Sequence, residues 1–235
     1  MSTSPVDGGV EGLGRTALHE ADDLWTRWGR PRRFPAGPAD PRTDRRPKAV
    51  DGKFFSPTLA PVPESDPAQS PYRVTVVCLG NICRSPLGEV VLRDRVARAG
   101  LADRVVVDSA GTGDWHIGHD ADPRARSTAA AHGYDMEHRA RQITPDWFAD
   151  IDLAVAMDES NYADLQRLIG RSGADVELRM MRSFDPELAH LPEPHPDLAV
   201  PDPYYGGDDD FVTVLRMLER ASDGLVAELS DRLEP

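Results

Sequence analysis

The stretch Arg73-Val-Thr-Val-Val-Cys78-Leu-Gly-Asn-Ile-Cys-Arg84-Ser-Pro86 decides the fold. Arg73 to Val77 is a β-branched run with no regular polar alternation. It reads as a strand buried on both faces and ending at Cys78. The chain then turns at Gly80 and Asn81. A helix is predicted from about Ser85 to Ala99, stopped by Gly100. A strand, a tight turn and a helix form the opening unit of a parallel α/β domain.

The same alternation continues outward. Val105 to Val107 reads as a second strand. Asp122 to His132 reads as a helix opened by Asp122 and Pro123 and closed by Gly133. Asp152 to Met157 is a third strand, with Asp158 capping the helix after it, and Val176 to Met180 is a fourth. The last helix carries Phe211, Val214, Leu215, Leu218, Leu225 and Leu229 on one face, a core stripe. The expected fold is α/β, a three-layer sandwich around a four-stranded parallel sheet, doubly wound as in flavodoxin.

The first 70 residues are different. They hold 10 of the 21 prolines, with 10 basic and 10 acidic residues. They are expected to form a largely disordered extension preceding a domain over 71–235. Thr16 to Trp28 reads either as a transient amphipathic helix or as a docking peptide for a partner. Isolated-helix energetics favour the first. The other 165 residues hold 17 basic and 30 acidic residues, so the whole formal charge of −13 lies there. That excess argues against a nucleic-acid partner. No apolar run approaches the roughly 18 residues of a membrane span, and no secretory signal peptide is expected. Two cysteines suit a reducing compartment, and the reading is cytoplasmic.

The turn after Cys78 carries the chemistry. Gly80 and Asn81 accept positive φ at low cost, so the backbone is expected to curl into a nest of N–H groups. The helix N-terminus adds partial positive charge, and Arg84 adds a planar fork of donors. A phosphate belongs there. Cys78 lies at the floor of this electropositive bowl, where its thiol should ionise more easily than a free one. A thiolate against bound phosphate is a nucleophile aimed at phosphorus. The Ser85 hydroxyl is placed to donate to it.

The run from Cys78 to Pro86 resembles the active-site signature of the low-molecular-weight protein tyrosine phosphatases. Ser109-Ala-Gly-Thr-Gly-Asp-Trp115, Asp122-Pro-Arg124, His138-Arg-Ala-Arg-Gln142, Met157-Asp-Glu-Ser-Asn161 and Asp202-Pro-Tyr204-Tyr205-Gly are similar to its later blocks. The likeness covers about 72–232 and none of 1–70. It implies hydrolysis of phosphotyrosine in proteins through a phosphocysteine, with no cofactor and no metal. It assigns Cys78 as nucleophile, Arg84 as oxyanion clamp and Asp202 as general acid. Locally, Asp202-Pro203 reads only as a turn. The resemblance places Leu79, Gly80, Asn81, Ile82, Cys83, Ser85 and His138 in the phosphate loop and its support. It places Trp115, Tyr204 and Tyr205 around the substrate ring. It also implies that Cys83 forms a protective disulfide with Cys78; the other reading of Cys83 is a packed thiol.

Other readings were weighed. Cys78, Cys83, His116 and His119 as zinc ligands have unusual spacing, and Arg84 would repel the cation. Arsenate reduction by relay needs further cysteines. The protein arginine phosphatases that this sequence also resembles carry Thr where Ile82 stands. A phosphopeptide-binding module lacking turnover finds no support, because every catalytic residue is present.

Overall fold

The computed structural model describes residues 70–234. The extension expected over 1–70, including the helix over 16–28, lies outside the described residues except for Ser70. The strands are β1 (Tyr72–Cys78), β2 (Val105–Gly111), β3 (Leu153–Ala156) and β4 (Glu177–Met180). The helices are α1 (Arg84–Arg98), α2 (Pro123–Ala131), α3 (Glu159–Ser172) and α4 (Asp208–Leu233). All strand pairs are parallel, in the order β2-β1-β3-β4. β2 runs four residues beyond the predicted Val107, because Ser109, Ala110 and Gly111 stay paired with Val76, Val77 and Cys78.

Side chains along β1 divide between two cores. Val74, Val76 and Cys78 pack with residues of α1, α2 and α4, whereas Val77 packs with Phe148 and with Leu165 of α3. β3 does the same, with Leu153 and Val155 on one side and Ala154 and Ala156 on the other. Both faces are covered, which is why these strands are apolar throughout. The predicted stripe of α4 is buried along its length. Truncating a fully buried leucine such as Leu215 or Leu218 to alanine costs about 2–5 kcal/mol.

The topology dictates where a ligand sits. From central β1 the chain moves to β2 on one side and later returns to β3 on the other. The loops leaving β1 and β3 therefore diverge and open a crevice at their carboxyl ends. Cys78 ends β1 and Asp158 follows β3 at that crevice. Three 3-10 turns, over Pro145–Asp150, Met181–Phe184 and Pro196–Leu198, were not legible in the sequence. The last brings the chain back across the crevice, with the Val200 N–H donating to the Met157 carbonyl at 2.7 Å.

Candidate active site

The loop from Cys78 to Ser85 is built by a side-chain network on a strained backbone. Asn81 has φ of 53°, the one non-glycine in the left-handed region among the described residues. Such a residue costs roughly 1–3 kcal/mol and persists only where its surroundings hold it. Here they do. Asn81 Nδ2 donates to the Ser85 and Ser109 hydroxyls, both at 2.9 Å, and its Oδ1 accepts from the Arg141 N–H at 2.8 Å. Its carbonyl accepts from His138 Nε2 at 2.7 Å. Its N–H points at Cys78 Sγ at 3.3 Å. The expectation of positive φ at Gly80 is corrected: only Asn81 adopts it. Gly80 is small for another reason, since a Cβ there would meet the His116 ring at 3.1 Å.

Cys78 lies buried at the base of the loop, 3.0 Å from the Ser85 hydroxyl. The N-cap of α1 is Cys83, and no side chain caps that terminus. α2 and α3 are instead capped by Asp122 and Asp158. The first turn of α1 thus keeps its N–H groups directed into the loop, where they favour an anion.

Arg84 is buried beside this bowl. Its Nη1 donates to Asp158 at 2.6 Å and to the Val200 carbonyl at 3.2 Å, and its Nη2 donates to Asp202 at 2.8 Å. Burial works against the guanidinium charge, but Cys78, Asp202 and Asp158 outweigh it and hold Arg84 cationic. Asp202 comes from 118 residues downstream. Its other oxygen accepts from the Tyr204 N–H at 3.1 Å, an Asx turn that aims the carboxyl inward.

A cleft of about 240 Å³ opens over these groups. It is lined by the loop residues Cys78, Leu79, Gly80, Ile82, Cys83 and Arg84, and by Trp115, His116, Asp202, Tyr204 and Tyr205. Tyr204 and Tyr205 stand edge to face, 5.0 Å apart. Trp115 is 67% exposed and Tyr205 95%, so both present open ring faces at the mouth. A larger cleft of about 530 Å³ beside His138 and Arg139 is lined by no cysteine, serine or threonine.

Sequence reading left several groups of this site without a role. Glu89 accepts from Ser109 Oγ at 2.5 Å and lies 3.8 Å from His138 Nδ1, so it anchors the residues that anchor Asn81. A signal existed: Glu89 stands one turn beyond Ser85, on a helix face otherwise buried and apolar. Asp158 was read as a cap and also faces Arg84. His116 was considered only for zinc. Its ring lies 5.9 Å from that of His119. Among the described residues no three His, Cys, Asp or Glu side chains are grouped to hold a metal. Burial lowers the pKa of His138, partly offset by the Asn81 carbonyl and Glu89. Burial, then nearby Asp122, pushes the Cys83 thiol up, and both cysteines are free thiols.

Comparison with known proteins agrees with this geometry. Residues 73–234 match the family model "Low molecular weight phosphotyrosine protein phosphatase". A Streptomyces coelicolor low molecular weight protein-tyrosine-phosphatase is 48% identical over 163 residues, 69% of this chain and 96% of that protein. The human low molecular weight phosphotyrosine protein phosphatase is 40% identical, over 65% of this chain and 92% of its own. A crystal structure of an Entamoeba histolytica protein tyrosine phosphatase, with Hepes in its active site, superposes with a TM-score of 0.60 at 32% identity. It covers 68% of this chain and 98% of that one. A family model matched over 73–234, with relatives 40–48% identical across nearly their whole length, places the sequence: the chain belongs to the low molecular weight phosphotyrosine protein phosphatase family.

Proposed function

We propose that this site hydrolyses phosphotyrosine in proteins by two displacements at phosphorus. The observation that carries the reading is the convergence of Cys78, Arg84 and Asp202 on one cleft. An incoming phosphate dianion takes over the Arg84 Nη2 donors that Asp202 now accepts, freeing that carboxyl to face the bridging oxygen. The Cys78 thiolate attacks phosphorus and forms the S–P bond. The P–O bond to the ring breaks, and the Asp202 carboxyl gives its proton to the departing phenolate. Arg84 and the loop amides hold the three equatorial oxygens throughout. Water then attacks phosphorus, the Asp202 carboxylate accepts its proton, and the S–P bond breaks with Ser85 donating to the leaving thiolate.

Asn81, with Ser85, His138 and the loop residues 79–83, keeps the nest open. Trp115, Tyr204 and Tyr205 form aromatic walls suited to a phenyl ring. Ile82 on the cleft lining adds apolar width, which supports an aryl ester over a guanidino phosphate. The domain reading places this activity in 71–235. The segment 1–70 remains an extension with room for a docking role. A working thiolate nucleophile suits a reducing, cytoplasmic setting. Cys83, five residues from Cys78, buried and on the same cleft lining, supports reversible protection of an oxidised nucleophile as a disulfide.

The test is turnover of phosphotyrosine, phosphoserine and phosphoarginine peptides, with acid-quenched enzyme examined for label. Phosphotyrosine turnover with phosphate bound to Cys78 is the expected result. Phosphoarginine turnover alone, or quenched enzyme carrying no phosphorus at that sulfur, would overturn the reading.

A further inference from the structure

One residue outside the cleft lining ties the two halves of the site together. Asp122, the N-cap of α2, donates its backbone N–H to the Ile82 carbonyl of the phosphate loop at 2.8 Å. Its carboxylate accepts from three donors of Arg124: the backbone N–H at 2.8 Å, Nε at 3.0 Å and Nη2 at 2.9 Å. The guanidinium then reaches across to the acid loop. Nη2 donates to the Tyr204 carbonyl and Nη1 to the Gly206 carbonyl, both at 2.9 Å. Its plane lies over the ring of Phe211, 4.7 Å from the centroid, and Phe211 is fully buried in the first turn of α4.

Tyr204 is the joint. Its carbonyl is held by Arg124, and its own N–H holds Asp202 Oδ1. A continuous path of short polar contacts therefore runs from Ile82 through Asp122, Arg124 and Tyr204 to the Asp202 carboxyl. The rest of the acid loop has few ties: Pro203 is buried, but Tyr204, Tyr205, Gly206 and Gly207 are all exposed, and the loop's own bonds are the Gly206 N–H to the Pro203 carbonyl at 2.9 Å and the Gly207 N–H to Asp210 at 2.7 Å. An exposed loop with few apolar contacts takes its position from such ties.

We propose that Arg124 is a positioning residue for the general acid, a strut that sets the distance between the phosphate loop and Asp202. Lysine is a poor substitute. One ammonium cannot serve Asp122 and two carbonyls in a fixed plane, and it has no flat face for Phe211. This inference rests on Asp202 acting as the acid.

The experiment measures kcat/KM for aryl phosphates whose leaving phenols range from acidic nitrophenols to tyrosine itself. The variants are Arg124→Ala, Arg124→Lys, Asp202→Ala and the Arg124→Ala/Asp202→Ala pair. A badly placed acid matters most when the departing oxygen most needs a proton. Arg124→Ala should lower kcat/KM about 10-fold for phosphotyrosine, a partial loss of the roughly 10²–10⁴-fold general-acid contribution, and less than about 3-fold for the most acidic phenol. Arg124→Lys should fall between this variant and wild type. The paired variant should be no slower on phosphotyrosine than Asp202→Ala alone. A uniform loss across the phenols, or a further loss in the Asp202→Ala background, would overturn the strut. If Arg124→Ala does not fold, Arg124→Lys carries the same slope comparison. A flat dependence in Asp202→Ala itself would instead remove the acid assignment, and the strut with it.

Discussion

The phosphate loop and the acid loop face each other across one cleft but are stabilised in opposite ways. The phosphate loop is buried: Cys78, Asn81, Cys83, Arg84 and Ser85 are each no more than 4% exposed. Its shape is overdetermined by five contacts on Asn81 alone. The acid loop is exposed apart from Pro203, and it is held by a few polar ties: backbone carbonyls on Arg124, the Gly206 and Gly207 N–H bonds, and the Asp202–Arg84 ion pair. In the proposed reaction the Cys78 side presents a fixed cradle to an anion. In that reaction the Asp202 side lets a ring enter, shifts its carboxylate off Arg84 and delivers a proton. The expected consequence is that damage to the first loop costs both stability and activity, while damage to the second costs mainly activity.

Substitutions can break or sharpen this contrast. The largest effect is expected from Cys78→Ser, which should abolish turnover in a folded protein that still binds vanadate; residual phosphotyrosine turnover would contradict the nucleophile assignment. Next comes Asp202→Ala, expected to slow phosphotyrosine hydrolysis about 10²–10⁴-fold. Asp202→Ala also takes the acceptor from the buried Arg84 Nη2, so a modest fall in Tm is expected, and a fall as large as that of a phosphate-loop variant would erase the distinction between the loops. Asn81→Ala should do both kinds of damage. It leaves the buried Ser109 and Ser85 hydroxyls and the Arg141 N–H short of a partner, at about 1–3 kcal/mol for a group left unsatisfied. It also lets the nest relax, and a displacement of about 1 Å costs roughly 10²-fold in rate. Denaturant unfolding and kcat/KM measured together check both parts.

The smallest effect concerns pH. Burial lowers the folded pKa of His138 below its ordinary value near 6.5. The unfolded chain then binds the proton more readily, so the neutral ring contributes stability that is present above about pH 6.5 and lost as pH falls through the folded value. His138→Asn should flatten that acid-side decline in Tm. An unchanged pH profile would show that burial of His138 does not lower its folded pKa enough to affect stability.

How much of this was legible depended on how local the determinants were. The strand before Cys78, the caps Asp122 and Asp158 and the α4 stripe are set by residues within a few positions of one another, and the structure reproduces them. Gly80 shows the limit. A glycine in a turn suggests positive φ, yet the reason for its small size is the approach of His116, 36 residues away in sequence. Gly111 is similar: a Cβ there would sit 2.7 Å from the Leu79 carbonyl and 3.0 Å from the Asn81 N–H. Glu89 looked like one more charge on a helix until Ser109 and His138 were brought beside it.

Periodicity, caps and the single string around Cys78 were enough, from the sequence by itself, to determine the α/β alternation and the tight turn with Cys78 at its base. These depend on backbone sterics and helix termini, which act over a few residues. Only the tertiary structure decided how Arg84 is shared between Asp158 and Asp202, what holds the left-handed Asn81, and how Arg124 joins the two loops. Those contacts span tens of residues to well over a hundred, and they exist because a parallel sheet brings the carboxyl ends of distant strands to one edge.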